Sequence, residues 1–249
     1  FVNLVILAVA GMNGMVLAAD LFSLYVFLEV TAVASFVLIC LDRTRDAFEG
    51  AFKYVVLSAV ATTMILAAMG LLLMTRGSVA FGAAGNVLDQ VANRPLLLVA
   101  AGLLLAGLSI KSGLVPFHGW LPDAYSSAPA ATSVLLAGIV TKTTGVYALI
   151  RVVTAMFPSD TRVQALLLVV GILSVLVGAL AALPQSDMKR MLAYSSISQV
   201  GYIVLGLGAG SAIGLAGAVF HLFNHAVFKS LLFANAAAVE QRAGTRDMD

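Results

Sequence analysis

Apolar stretches of about 18 or more residues recur along the whole chain and leave only short polar connections between them. Stretches of this length are typical of transmembrane helices, because about 20 helical residues cross the hydrocarbon layer of a bilayer. Eight such segments can be drawn, at residues 1–18, 21–41, 49–74, 95–114, 130–156, 163–183, 191–208 and 212–239. We therefore predict an all-α polytopic membrane protein in which residues 1–249 form a single membrane domain.

The composition excludes a water-soluble domain and several kinds of site. Hydrophobic residues make up 61% of the chain and charged residues 10%, and the mean hydropathy is +1.04. The net charge of +2 comes without a basic run, so we expect no nucleic-acid partner. The single cysteine, Cys40, excludes an intrachain disulfide and a Cys-ligated cluster, which leaves a buried free thiol as its expected role. Because Phe1 already lies inside an apolar run, we expect the sequence to be a fragment of a longer protein.

The basic residues between the segments predict an orientation. The side on which the first segment begins receives Arg43, Arg45, Lys189, Arg190, Arg242 and Arg246. The opposite side receives Arg76, Arg94 and Arg162, and Arg151 lies near the boundary. The positive-inside rule makes the first side cytoplasmic.

Ionisable residues interrupt four of the apolar segments. They are Glu29, Lys111, Lys142 and Lys229. An ionisable group at mid-bilayer costs about 2.5–3.5 kcal/mol on insertion scales, so such residues are rare and usually line ion or proton pathways. We therefore predict a proton-conducting membrane protein.

The segment that contains Lys111 is expected to be broken. Residues 109–120 read SIKSGLVPFHGW, and Pro116 removes a backbone donor and clashes with the carbonyl four residues earlier. A break within residues 112–116, eased by Gly113, frees carbonyls that are tolerated at membrane depth only inside protein or beside water. Lys111 would then lie at the rim of a hydrated break. The alternative is a lysine that snorkels from a helix end to the interface.

Glu29 lies too deep in its segment to cap a helix, a role that we assign to Asp20. A partner is therefore expected, and Lys111 is the candidate. Proximity would keep both groups charged, whereas withdrawal of Glu29 would release the lysine proton, which makes the pair a switch. A static buried salt bridge that fixes helix register is the alternative.

Other groups are expected to support this site. Pro122, followed by Asp123, predicts the start of a short amphipathic helix at the surface. Glu49 and Lys53 are four residues apart and predict an ion pair at the interface, from which Lys53 could still modulate Glu29.

Lys142 lies in AGIVTKTTGVYALIR, among hydroxyl groups that suit a proton relay. The nearby hydroxyls are those of Thr141, Thr143, Thr144 and Tyr147. The alternative is a lysine near the lipid headgroups, although Arg151 is the better candidate for snorkelling.

The last segment carries a stripe of titratable residues in FHLFNHAVFKSLLF. His221, His225 and Lys229 are spaced i, i+4, i+8, so they share one helix face over about 12 Å, and Asn224 borders that face. The pattern is typical of a proton relay, which the hydroxyls of AYSSISQVGY would extend. An i, i+4 histidine pair also suits zinc, but the third group is a lysine and no carboxylate or cysteine is near, so we expect no metal. Packed core histidines are the remaining alternative.

Taken together, the motifs DLFSLYVFLEV, KSGLVPFHGWLPDAYSSAPA, KTTGVYALIR, SDMKRMLAYSSISQVGY and HLFNHAVFKSLLF give the chain a family resemblance. It resembles the antiporter-like subunits shared by respiratory complex I, Mrp-type cation/proton antiporters and membrane-bound hydrogenases. The resemblance implies proton-translocating roles for Glu29, Lys111, Lys142, His221, His225 and Lys229. We expect supporting roles for Lys53, Pro116, His118, Asp123, Thr141 and Asn224.

The resemblance also implies a fold of two inverted five-helix repeats, each with a broken helix. Residues 1–156 would form the first repeat and residues 163–249 the start of the second. The second broken helix of the family has no counterpart before Asp249, which supports the expectation of a fragment.

The predicted function is that of a proton-translocating subunit of a respiratory NADH:quinone oxidoreductase-like or hydrogenase-like complex. The alternatives are an Mrp-type antiporter subunit that exchanges Na⁺ or K⁺ for protons and a non-conducting scaffold for a redox arm. We expect no cofactor, because no dinucleotide fingerprint, haem ligand set or cluster motif is present, so the chain would be an enzyme only as part of a translocase assembly. The expected partners are other membrane subunits, the lipid bilayer and protons. The expected location is the inner membrane of a bacterial or archaeal cell, with an organelle inner membrane as the alternative.

Overall fold

A computed structural model describes residues 1–82, 87–89 and 94–248, and these residues are nearly all helical. The helices in chain order are α1 (Val2–Leu17), α2 (Leu21–Ile39), α3 (Arg45–Arg76), α4 (Arg94–Ser112), α5 (Trp120–Ser127), α6 (Ala130–Met156), α7 (Thr161–Ala182), α8 (Met188–Gly208) and α9 (Ala212–Ala243). Short 3₁₀ turns lie at Cys40–Asp42 and Val87–Asp89. The predicted connection at residues 76–94 falls partly outside the described residues.

Seven of the described helices are long and apolar enough to cross a membrane, and the 16-residue helix α1 is a shorter apolar one. The predicted all-α polytopic architecture is therefore confirmed. Two helices begin earlier than their apolar runs, because side chains cap the backbone donors of the first turn. The hydroxyl of Thr44 accepts from the Ala47 N–H at 3.2 Å in α3, and the carboxylate of Asp187 accepts from the Arg190 N–H at 2.8 Å in α8.

The predicted break near Lys111 is present. Helix α4 ends at Ser112, Gly113 adopts a φ of +69°, and the chain turns until α5 begins at Trp120. The broken backbone is satisfied inside the protein, since the indole N–H of Trp120 donates to the Ile110 carbonyl at 2.9 Å and the Ser174 hydroxyl accepts from the Val115 N–H at 3.0 Å. The break thus depends on contacts from α5 and α7.

The helix that follows the break differs from its prediction. Helix α5 begins two residues before Pro122, and most of it is buried rather than at the surface. Its apolar side chains pack between α3 and α8, and edge-to-face contacts link Trp120 to Tyr54 and to Tyr125. A tryptophan and a tyrosine bury large areas, which explains why α5 packs into the bundle.

Helix α6 contains wide π-helical turns at Leu136–Val140 and Lys142–Tyr147. The hydroxyls of Thr143 and Thr144 donate to the carbonyls four residues earlier, at 3.0 and 2.8 Å, and such bonds bend helices. Wide turns of this kind are rare and often mark functional positions. Lys142 therefore lies on an irregular stretch of backbone.

The ends of the helices confirm which basic residues share a side. Arg246, after α9, is paired with Asp187, before α8, at 3.0 Å, and Arg190 of α8 is paired with Asp123 of α5 at 2.8 Å. The assignment of this side to the cytoplasm stays a prediction, as does the division into repeats at residues 1–156 and 163–249. Cys40 is a free thiol and is half-buried rather than buried.

Candidate functional site: buried lysines across the bundle

The structure buries all three intramembrane lysines inside the protein. The exposed fractions of Lys111 and Lys142 are 4% each, and that of Lys229 is 1%. Lys142 is twelve residues from the start of α6 at Ala130, which is about 18 Å along the helix axis. The snorkelling alternative for Lys111 and the headgroup alternative for Lys142 are therefore wrong, because a snorkelling lysine keeps its ammonium in water.

Lys111 lies in the last turn of α4, where the break begins. Its ammonium is 3.3 Å from the Glu29 carboxylate of α2 and donates to the Ser58 hydroxyl of α3 at 2.5 Å. Glu29 is 36% exposed, so it lies at the rim of the chain and reaches inward to the lysine. The structure thus brings the predicted pair together. The switch stays a prediction, with the static bridge as its alternative.

A small cavity separates Lys111 from the next lysine. Its volume is about 10 Å³, which is the space of about one water molecule. Its walls are the side chains of Tyr54, Ser58, Ile110, Lys111, Trp120, Thr141 and Thr144. The cavity therefore connects the ammonium of Lys111 with the polar turn next to Lys142.

Lys142 is held by a backbone carbonyl and lies next to a pair of bonded hydroxyls. Its ammonium donates to the Ala137 carbonyl of the wide turn before it. The neighbouring Thr141 hydroxyl is bonded to the Tyr125 hydroxyl at 2.6 Å, and Tyr125 is fully buried. Hydroxyls both donate and accept, so this pair can pass a proton without leaving a charge in hydrocarbon. The expected hydroxyl environment of Lys142 is present at Thr141.

Two glycines place α6 between its neighbours. A Cβ on Gly145 would overlap the backbone of Lys111 and Ser112 in α4, and a Cβ on Gly138 would overlap the Ser230 side chain of α9. Small residues of this kind allow membrane helices to approach closely. Lys142, between the two glycines in sequence, is thereby held between the lysine helices α4 and α9.

Lys229 is bonded to helix α8. Its ammonium donates to the Leu192 carbonyl at 2.9 Å and to the Ser195 hydroxyl at 2.6 Å. This contact brings the hydroxyls of α8 to the lysine, as the sequence predicted.

The two histidines lie one turn apart beside Lys229. The rings of His221 and His225 are stacked, with centroids 6.0 Å apart and an interplanar angle of 5°. His225 is fully buried, and neither of its ring nitrogens has a hydrogen-bond partner in the protein. Buried polar atoms normally have partners, so this ring is suited to bind water. Among residues 1–82, 87–89 and 94–248, no group of three His, Cys, Asp or Glu side chains is placed to hold a metal ion.

The supporting residues divide into two groups. Thr141 lines the cavity, whereas Asp123 joins Lys53 at 2.6 Å and Arg190 at 2.8 Å in an ion network at the helix ends. Lys53 also contacts Glu49 at 2.6 Å, as predicted, and within the described part of the chain no ion pair joins it to Glu29.

Three of the predicted supporting residues lie outside the set of groups that contact the three buried lysines. Pro116 is exposed in the turn of the break, and His118, half-buried in the same turn, has an Nδ1 atom without a partner. Asn224 is half-exposed next to His225. Within the described residues, no hydrogen bond or ion pair joins Pro116 or His118 to the three lysines.

Sequence reasoning missed three residues of the site. Ser58 and Tyr125 carried no signal, because a single hydroxyl residue does not mark a site. Lys189 was treated as a loop charge, although it is in the first turn of α8 and is 3% exposed. Asp187, a helix cap two residues earlier, was the signal that could have placed it in the helix.

Comparisons with known proteins identify the family of this chain. Residues 18–249 match the family model described as NADH:quinone oxidoreductase/Mrp antiporter, TM. The NADH-quinone oxidoreductase subunit N of Desulforudis audaxviator is 39% identical over 249 residues, which cover 99% of this chain and 49% of that protein. An Na(+)/H(+) antiporter subunit of Alkalihalophilus pseudofirmus is 35% identical over 240 residues, 96% of this chain and 48% of that protein. The chain thus spans about half the length of these relatives.

A solved structure shares the fold. One chain in the Mrp complex from Dietzia sp. DQ12-45-1b superposes with a TM-score of 0.92 and 32% identity, over 98% of this chain and 46% of that chain. The apolar helices and the relatives together make this chain an integral protein of the cell membrane. The chain belongs to the NADH:quinone oxidoreductase/Mrp antiporter transmembrane family.

Proposed function

We propose that this chain conducts protons between the two sides of the membrane, as a subunit of a larger membrane complex. The observation that carries the proposal is the row of buried ammonium groups of Lys111, Lys142 and Lys229, each held by polar groups near the middle of the bundle. A structural core gains little from buried lysines, since apolar residues fill the same space at lower cost. A role in proton transfer would explain why these three lysines are buried.

The row offers a chemically reasonable route. Lys111 reaches Glu29 on one side and the cavity of about 10 Å³ on the other. Beyond the cavity lie Thr141 and Lys142, and then α9 with His225 and Lys229. Lysines, a histidine and hydroxyls separated by single waters can pass a proton stepwise across a membrane.

The names of the relatives support a partner complex. The relatives include a subunit of NADH-quinone oxidoreductase and a subunit of an Na(+)/H(+) antiporter. We propose neighbouring membrane subunits as partners, with redox chemistry elsewhere in the complex or an opposing ion gradient as the source of drive. The location we propose is a bacterial or archaeal inner membrane.

A second candidate function is Na⁺/H⁺ or K⁺/H⁺ antiport. It is favoured by the 35% identity to an antiporter subunit and by the partial exposure of Glu29, whose carboxylate is an oxygen ligand for a hard cation. Proton transport that depends on Na⁺ or K⁺ on the opposite side would support this candidate, and transport in the absence of both ions would exclude it.

The test uses the assembled complex in vesicles, with a pH-sensitive dye inside. Lys111→Arg keeps the positive charge beside Glu29 but cannot release a proton, since the guanidinium stays protonated. We expect Lys111→Arg and Lys111→Met to lower proton transport by about 10²-fold or more, the size of effect typical for loss of a proton-transfer group. Glu29→Gln should lower it as well.

The matched control is Arg43→Gln, which removes an exposed positive charge just after the 3₁₀ turn that follows α2. It should leave transport unchanged. Normal pumping by Lys111→Arg and Lys111→Met in an intact complex would contradict proton conduction and favour the scaffold role.

A further inference from the structure

A charged cavity opens where several helix ends meet on the side that carries Arg246. Its volume is about 760 Å³, and we call it the vestibule. Its charged walls are Asp42, Asp46, Lys189, Glu240 and Arg246, and its remaining walls include residues 127–131. A neighbouring cavity of about 350 Å³ shares Asp46, Ser127 and Arg246 with it. A space of this size and polarity admits water to the end of the bundle.

Lys189 is the buried member of this wall. It is the second residue of α8, and its position in the first helical turn places a positive charge at the positive end of the helix dipole. Burial of the ammonium adds a desolvation cost. The next residue, Arg190, is 40% exposed and forms an ordinary ion pair with Asp123. The unfavourable placement is therefore specific to Lys189.

The ion pair of Lys189 is long, and its carboxylate also faces Arg246. Its ammonium donates to the Ala128 carbonyl at 3.1 Å and is 3.8 Å from the Glu240 carboxylate. Glu240 is shared with Arg246, whose guanidinium is 3.7 Å from the other carboxylate oxygen. The charged groups that face Lys189 are Glu240, Asp187 and Asp42 as acids and Arg246 as a base. Glu240 can thus pair with either cation.

A polar stripe leads from Lys189 into the membrane. The Leu192 carbonyl, one turn further along α8, accepts from Lys229 and from the hydroxyls of Ser195 and Ser196, each at 2.9 Å. Ser195 is six residues from Lys189, which is about 9 Å of helix rise. Between one and two turns of α8 therefore separate Lys189 from the two groups that accept hydrogen bonds from Lys229.

We propose that Lys189, with Glu240 as its exchangeable partner, is the group through which protons pass between the vestibule and Lys229. The inference rests on the proposed proton conduction and adds its access point. Lys189 accepts a proton from vestibule water, and the Ser195 and Ser196 hydroxyls with intervening water carry it to Lys229. Release in the opposite direction uses the same groups.

The test measures transport in the assembled complex against the pH on the vestibule side, with the other side held constant. We expect Lys189→Met and Lys189→Arg to slow transport about tenfold or more, because neither residue can exchange a proton. A purely structural role would be restored by the arginine. Glu240→Gln should displace the midpoint of the pH profile by about 1 unit, because the ammonium loses its nearest negative charge.

The control is Arg242→Gln, which removes an exposed charge from the same turn of α9 and should leave the profile unchanged. If the Lys111 variants stop transport while Lys189→Arg and Glu240→Gln behave as the wild type, the access point is wrong and conduction stands. If the Lys111 variants pump normally, conduction itself is wrong. Should Lys189→Met fail to assemble, the profile of Glu240→Gln decides, because that carboxylate is partly exposed at the rim.

Discussion

Replacement of Gly145 by alanine should separate the two helices that carry Lys111 and Lys142. A Cβ on Gly145 would lie 2.5 Å from the Cα of Ser112 and 2.6 Å from the carbonyl oxygen of Lys111. Both are backbone atoms at the break of α4, so neither can rotate away. Ordinary van der Waals contact begins at 3.4 Å, whereas the new Cβ would be 2.5 Å from the Ser112 Cα. Helix α6 would therefore have to move by about 0.9 Å, the difference between the two distances.

Such overpacking costs about 1–3 kcal/mol, because closely packed interiors relax only in part. Movement of α6 also pulls Thr141 and Thr144 away from the cavity beside Lys111. We therefore expect Gly145→Ala to lower both the thermal stability of the purified protein in detergent and the transport rate in vesicles.

Gly102→Ala in α4 is the matched control. A Cβ there would meet nothing within 4 Å, and alanine favours the helix by about 1 kcal/mol over glycine. The control should keep or raise the melting temperature. Equal melting temperatures for Gly145→Ala and Gly102→Ala would refute the close approach of α4 and α6.

Two further predictions concern helix ends. Arg151 donates to the carbonyls of Val16 and Ala18 at the end of α1, and the Val16 carbonyl also accepts from the Tyr147 hydroxyl at 3.4 Å. Arg151→Ala should therefore remove the arginine hydrogen bonds from both carbonyls, at about 1–3 kcal/mol, and speed hydrogen exchange in α1. Unchanged exchange would contradict this. Hydrogen bonds from the Ser23 backbone N–H and hydroxyl lower the pKa of Asp20. The cap therefore stabilises the folded protein at a pH above the usual carboxyl pKa, and this stabilisation is lost as the pH falls through the lowered pKa. Asp20→Ala should therefore cost about 1 kcal/mol at neutral pH, and the difference in melting temperature from the wild type should disappear in acid.

The sequence was sufficient where a local rule decides the structure. Pro116 and Gly113 predicted the break of α4, and Asp20 predicted the start of α2, because each acts on its own few residues of backbone. The partner of Glu29 could also be predicted, since a carboxylate deep in an apolar segment needs a cation and Lys111 was available.

The sequence was insufficient where tertiary contacts decide. The wide turns around Lys142 keep an apolar pattern that resembles an ordinary helix, and they lie where α4 approaches at Gly145 and α9 at Gly138. Lys189 looked like a loop charge because the apolar run of α8 begins after it. Its burial comes from α9 and the backbone at Ala128, which lie far away in sequence.

The lengths of two helices determine how far the vestibule extends from the middle of the membrane. Helices α3 and α9 have 32 residues each, about 48 Å of rise, whereas the hydrocarbon layer is about 30 Å thick. The first turn of α3 carries Asp46 and the last turns of α9 carry Glu240, so charged ends occupy the surplus length. The part of the vestibule wall that Asp46 and Glu240 form therefore lies at the level of the lipid headgroups. Acyl chains do not block the vestibule at this level, and bulk water enters it directly.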